Sequence, residues 1–69
     1  MPRIDYSLGI LKLRAKLNLT QEQLADLLGV SYISVNRWEN NRYMPTKLVK
    51  VKLLQLFKEN NIDLEEEYF

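Results

Sequence analysis

Five residues, Tyr32, Ile33, Asn36, Arg37 and Asn40, recur at spacings of one and four positions, which on a helix gathers them on a single face. Their types suit the reading of base edges. An arginine forks to guanine, an asparagine amide pairs with adenine, and an apolar group meets the thymine methyl. That chemistry requires the face to be free, and Val35 and Trp38 decide whether it is. They lie three apart on the other side, and the tryptophan is the largest apolar group available to a small core, so this side turns inward. The plain alternative is an ordinary solvated face, with Tyr32 and Ile33 tucked partly against the preceding helix.

The elements that must hold this face are short helices with marked ends. Ile10, Leu13 and Leu17 recur at helical spacing, widened by Leu11, and define helix one, capped by Asp5 or Ser7. The next start is more fully specified. Thr20 is placed as N-cap, Gln23 closes a capping box, and Leu19 and Leu24 stand at the spacing of a hydrophobic staple. Helix two therefore begins at Gln21, with Leu24, Leu27, Leu28 and Ala25 as its apolar side, and stops at Gly29, a residue that takes left-handed angles. Ser31 is the next N-cap, and Val30 with Val35 repeats the staple spacing. Two helices joined by about three residues including a glycine must cross steeply, as in a helix-turn-helix.

Asn40, Asn41, Arg42 and then Pro45 end the third helix, 32–40, because the residue before a proline is biased away from helical angles. Thr46 caps a fourth helix bearing Leu48, Val49, Val51, Leu53, Leu54, Leu56 and Phe57, too many apolar groups for one stripe of ordinary width. Part of this helix is expected to meet something beyond the first three. After Asn60 and Asn61, Asp63 with Glu66 signals a short fifth helix carrying Leu64 and Tyr68.

Composition narrows the function classes. A chain of 69 residues encloses one core and leaves no room for a deep cleft. With 46% hydrophobic residues it can fill that core. The absence of both Cys and His removes disulfides, the usual structural-zinc ligands and the commonest acid-base catalyst. Glu22, Asp26 and Glu39 are separated along the helices with no nucleophile-base pair, so no catalytic residue, metal, cofactor or small-molecule substrate is expected. The Glu65-Glu66-Glu67 run reads as a solvated terminus and fixes no coordination geometry. No run approaches the roughly 20 apolar residues of a membrane span, and the chain reads as cytoplasmic. The net charge of +1 conceals a division. Through Lys58 ten Lys and Arg face four acids, and from Glu59 onward five acids face no base. A basic body suits a polyanion.

The string Leu13-Arg14, Leu19-Thr20-Gln21-Glu22-Gln23-Leu24-Ala25, Gly29-Val30-Ser31, Val35, and Arg37-Trp38-Glu39-Asn40 through Pro45 closely resembles the phage-repressor and Cro-like helix-turn-helix family, also called the XRE family. The likeness covers about residues 8–58, leaving 59–69 as an acidic extension of a single domain spanning 1–69. It implies an all-α, compact, four- to five-helix lambda-repressor-like domain of bacterial, archaeal or phage origin. It also implies binding to double-stranded operator DNA as a symmetric dimer, with helix three in the major groove. On that likeness Tyr32, Ile33, Asn36 and Arg37 match base-contacting positions. Gln21 matches a glutamine that grips a phosphate at the start of helix two, and Asn40 and Arg42 match a phosphate-contacting loop. Ser31, Lys47 and Lys50 are further phosphate candidates, the two lysines lying in the first turns of helix four. Arg14 and Glu39 match a structural, partly buried ion pair. The sequence departs from the family at Asn41, often Gly there, and at Tyr32 and Ile33, which replace a polar pair.

A different function class remains open. The same fold can serve as a protein-interaction or dimerisation module with weak or no DNA binding, using the apolar fourth helix and the acidic tail. Leu54, Leu64, Tyr68 and Phe69 are the groups expected to be buried between two copies about a two-fold axis. Salt-dependent DNA affinity separates the two classes.

Overall fold

The computed structural model describes residues 5–62 and contains four helices: α1 (Tyr6–Leu17), α2 (Gln21–Leu28), α3 (Tyr32–Glu39) and α4 (Lys47–Glu59), with no strand among the described residues. Each helix starts on a side-chain cap. Asp5, Thr20, Ser31 and Thr46 accept from the backbone N–H of Leu8, Gln23, Ser34 and Val49 respectively. At α2 the box is reciprocal, since Gln23 Oε1 also accepts from the Thr20 N–H at 2.9 Å. These contacts satisfy donors that a helix N-terminus otherwise leaves unpaired.

The C-termini share a second device. Asn18, Gly29, Asn41 and Asn61 all have positive φ, between 55° and 75°. In each case the following N–H returns to a carbonyl five residues back, as in Leu19 to Arg14, Val30 to Ala25, Arg42 to Arg37 and Ile62 to Phe57. This is the Schellman geometry. Glycine suits it best, and asparagine is the next residue to tolerate left-handed angles. The chain therefore reverses three times within a few residues, without long loops.

The core draws on every helix: Ile10 and Leu13 from α1, Leu24, Ala25 and Leu28 from α2, Val35 and Trp38 from α3, and Val49, Leu53 and Phe57 from α4. The spacings of three and four give each helix one inward stripe. Helix α3 lies against both α2 and α1, and α4 packs against α1. The Tyr6 ring meets Phe57 at 6.4 Å between centroids, and burial raises the Tyr6 phenol above its ordinary pKa because the charged form would be poorly solvated.

Several expectations change here. Asp5, not Ser7, caps α1, because Ser7 is buried and donates to the Glu39 carbonyl instead. Leu11 and Leu27 do not join the core, being 41% and 55% exposed. Their helices bury a narrower stripe than the run of leucines suggests. On α4 the buried stripe is Val49, Leu53 and Phe57, and Leu54 and Leu56 pack partly against it. The apolar surplus that faces outward is Leu48 and Val51, not Leu54. The expected fifth helix, with Leu64, Tyr68 and Phe69, lies outside the described residues.

Candidate nucleic-acid interface

The turn between α2 and α3 occupies only Gly29, Val30 and Ser31. Gly29 turns left-handed at φ +75°, Val30 packs partly against the core, and the Ser31 hydroxyl restarts the helix. Two amphipathic helices held this closely present adjoining outer faces.

On α3, Val35 is fully buried and Trp38 nearly so, while Tyr32 and Ile33 are about half exposed. Asn36, Arg37 and Asn40 are exposed on the same side. The five reading candidates thus form one solvent-facing strip. Beside its head runs an open groove lined by Arg14, Thr20, Gln21, Glu22 and Tyr32, at the N-terminus of α2. Beside its tail runs a second, of about 420 Å³, lined by Asn36, Arg37, Asn40, Arg42 and Tyr43.

A hydrogen-bonded chain underlies this surface. Arg14 donates from Nε to Glu39 Oε2 at 2.7 Å and from Nη2 to Glu39 Oε1 at 3.1 Å, a forked ion pair in which the Glu39 side chain is 6% exposed. Arg14 Nη1 also reaches the Leu19 carbonyl at 3.2 Å. Hydrogen bonding to Glu39 raises the Arg14 pKa, with burial opposing, so the guanidinium stays charged at any physiological pH. Gln21 Nε2 donates to the same carboxylate at 2.7 Å, and Gln21 Oε1 accepts from Asn36 Nδ2 at 3.3 Å. Asn40 Nδ2 in turn donates to the Asn36 carbonyl at 2.8 Å. One carboxylate thereby ties helix α1 to the start of α2 and the end of α3, and through Gln21 it orients an amide on the outer strip.

The phosphate candidates divide. Gln21, Asn40 and Arg42 border the strip. The Ser31 hydroxyl accepts from the Ser34 N–H at 3.3 Å and is occupied in capping. Lys50 is half-buried, its Nζ 5.4 Å from the Tyr6 ring centroid at the start of α1. Lys47 is exposed in the first turn of α4. No hydrogen bond, ion pair or ring contact among the described residues joins Lys47 or Lys50 to the strip. Sequence reasoning missed Tyr43. The residue is 61% exposed and its ring stands under the Arg37 guanidinium, 5.2 Å from Cζ to centroid. An aromatic four residues past the end of α3, next to Arg42 and near Arg37, is the signal that could have found it. Among the described residues no cluster of three or more metal-ligating side chains occurs, and no helix is long and apolar enough to cross a membrane.

A family model described as helix-turn-helix matches residues 10–64. No match was found among curated proteins or solved structures.

Proposed function

The chain belongs to the XRE-family, lambda-repressor-like helix-turn-helix proteins, a DNA-binding family, and on that premise we propose that it is a sequence-specific, repressor-like transcription regulator reading the major groove with α3. The observation that carries this reading is the exposed strip of Tyr32, Ile33, Asn36, Arg37 and Asn40, backed by the buried Val35 and Trp38. A helix of eight residues that offers a guanidinium, amides and apolar tips to one side fits base-edge recognition. Gln21, Asn40 and Arg42 flank the strip and serve the phosphates, with Lys47, Lys50 and Ser31 as outlying contacts of the same kind. Phosphate contacts supply affinity and salt dependence, whereas the α3 side chains supply sequence choice. The Arg14–Glu39 pair touches no base in this scheme and fixes the angle between helices.

The protein acts as a homodimer through α4 and the segment that follows it. Leu48 and Val51, 70% and 60% exposed, favour this. The same two residues also favour a second reading, an interaction module that docks a protein partner and binds DNA weakly or not at all. A region of basic surplus within which DNA-facing types cluster on one strip weighs toward DNA.

Selection from a random double-stranded DNA pool at physiological salt tests the proposal. The expected outcome is a palindromic motif with half-sites about one helical turn, roughly 34–36 Å, apart. Binding that never rises above the salt-dependent, sequence-independent level refutes it in favour of the interaction module.

A further inference from the structure

The Tyr43 ring holds a charged side chain without neutralising it. Among the described residues the partner of the Arg37 guanidinium is this ring, and its N–H donors make no hydrogen bond to them. The neighbouring carboxylate, Glu39, is taken up by Arg14 and Gln21. A carboxylate partner would occupy the edge of the guanidinium and cancel its charge. A ring partner carries no charge, so the full positive charge remains and no carboxylate takes up the donors.

The backbone that carries the ring is anchored. Arg42 N–H returns to the Arg37 carbonyl at 2.9 Å and Asn41 N–H to the Trp38 carbonyl at 3.1 Å. Just beyond Tyr43 and Met44, Pro45 is buried. Tyr43 therefore stands between two fixed points of the backbone, directly beside the last turn of α3. A long arginine otherwise loses much rotamer freedom on reaching a base. Stacking removes part of that freedom before DNA arrives, which is preorganisation of a specificity contact.

We infer that Tyr43 is a specificity-positioning residue: its ring holds Arg37 with the donor edge outward, poised to read the O6 and N7 acceptors of a guanine. The inference rests on the proposed role of α3 in base reading, and adds to it the only aromatic of the 40–46 loop.

The test compares the wild type with Tyr43→Phe and Tyr43→Leu in selection from random double-stranded DNA. Competition titrations follow, using the selected site and its version with the Arg37-facing G·C pair changed to A·T, at several salt concentrations. Tyr43→Phe keeps the ring and is expected to keep the preference for G·C. Tyr43→Leu is expected to lose about two- to five-fold of that preference, at one base pair only, with the salt slope unchanged. The ring is exposed, so both variants should melt with the wild type. Unchanged base preference in Tyr43→Leu overturns the inference while leaving the reading of α3 intact. Loss of affinity on all sequences in both variants also overturns it, and assigns the phenol hydroxyl to a phosphate. A wild type that selects no motif removes the underlying reading together with this one.

Discussion

Replacing Glu39 by alanine tests the part of the structure on which the reading surface depends. The carboxylate is 6% exposed and accepts from Arg14 Nε, Arg14 Nη2 and Gln21 Nε2. Glu39→Ala strands the Arg14 guanidinium, which is 24% exposed by side chain, and leaves the Gln21 amide without its acceptor. Removing one partner of a fully buried pair costs about 3–5 kcal/mol. Arg14 keeps some solvent and its bond to the Leu19 carbonyl, so the cost falls below that range, at about 2–3 kcal/mol. At roughly 0.05–0.15 kcal/mol per residue, a 69-residue domain has about 3–10 kcal/mol of stability in total. The substitution therefore removes a large fraction of it, and at about 4–8 °C per kcal/mol the melting midpoint falls by roughly 8–24 °C. Trp38 is the single tryptophan and sits in the core beside this network, so urea titration followed by its fluorescence reads the change directly. The double variant Arg14→Met, Glu39→Leu removes both charges together and should lie within about 1 kcal/mol of the wild type, because no buried charge is left unpaired. A Glu39→Ala loss under about 1 kcal/mol, the range of exposed surface pairs, would show that the carboxylate is not holding the helices in register.

Other outcomes follow from the same geometry. Arg37→Ala should weaken binding to the selected site by about 1–3 kcal/mol and relax preference at one base pair; equal loss on every DNA sequence would deny Arg37 a reading role. Asn41 at φ 58° pays for left-handed backbone, so Asn41→Ala should destabilise by about 1 kcal/mol while Asn41→Gly is neutral or slightly stabilising, as thermal melts will report. The Tyr6 phenol is raised in the folded state, so its stabilising contribution is complete below the unfolded value near pH 10 and is lost as pH rises through the folded one. Stability measured between about pH 8 and pH 11 should fall less steeply in Tyr6→Phe than in the wild type, and identical slopes would contradict the burial of that hydroxyl. Leu48→Ser with Val51→Ser should shift sedimentation from dimer to monomer with the fold unchanged, since both side chains are exposed; an unaltered sedimentation coefficient would place the dimer contact elsewhere.

The features legible in the sequence were those decided within a few residues. Thr20, Gln23, Ser31 and Thr46 cap where a cap-and-spacing rule places them, because the hydrogen bond they make reaches only three positions along the chain. The inward side of α3 was legible because one tryptophan outweighs every other residue on that helix. Whether Leu11 and Leu27 face in or out depends on how wide a stripe the neighbouring helices cover, which their own segments do not encode. The Gln21 amide was read, from the family resemblance, as a phosphate contact at a helix start. Its double engagement with Glu39 and Asn36 joins positions 15 and 18 residues apart, and that pairing exists only after α2 and α3 have crossed. Tyr43 escaped notice for a similar reason, since the reversal at Asn41 is what brings a loop ring back under Arg37.

The closed helix ends carry a consequence for how such a molecule can change. Starting and stopping instructions reside in Asp5, Thr20, Ser31 and Thr46 and in Asn18, Gly29, Asn41 and Asn61, while cohesion resides in the ten core side chains. Tyr32, Ile33 and Arg37 belong to neither set. They can be exchanged at small energetic cost, as surface substitutions usually are, so new binding preferences are open to drift or to grafting on an unchanged chassis.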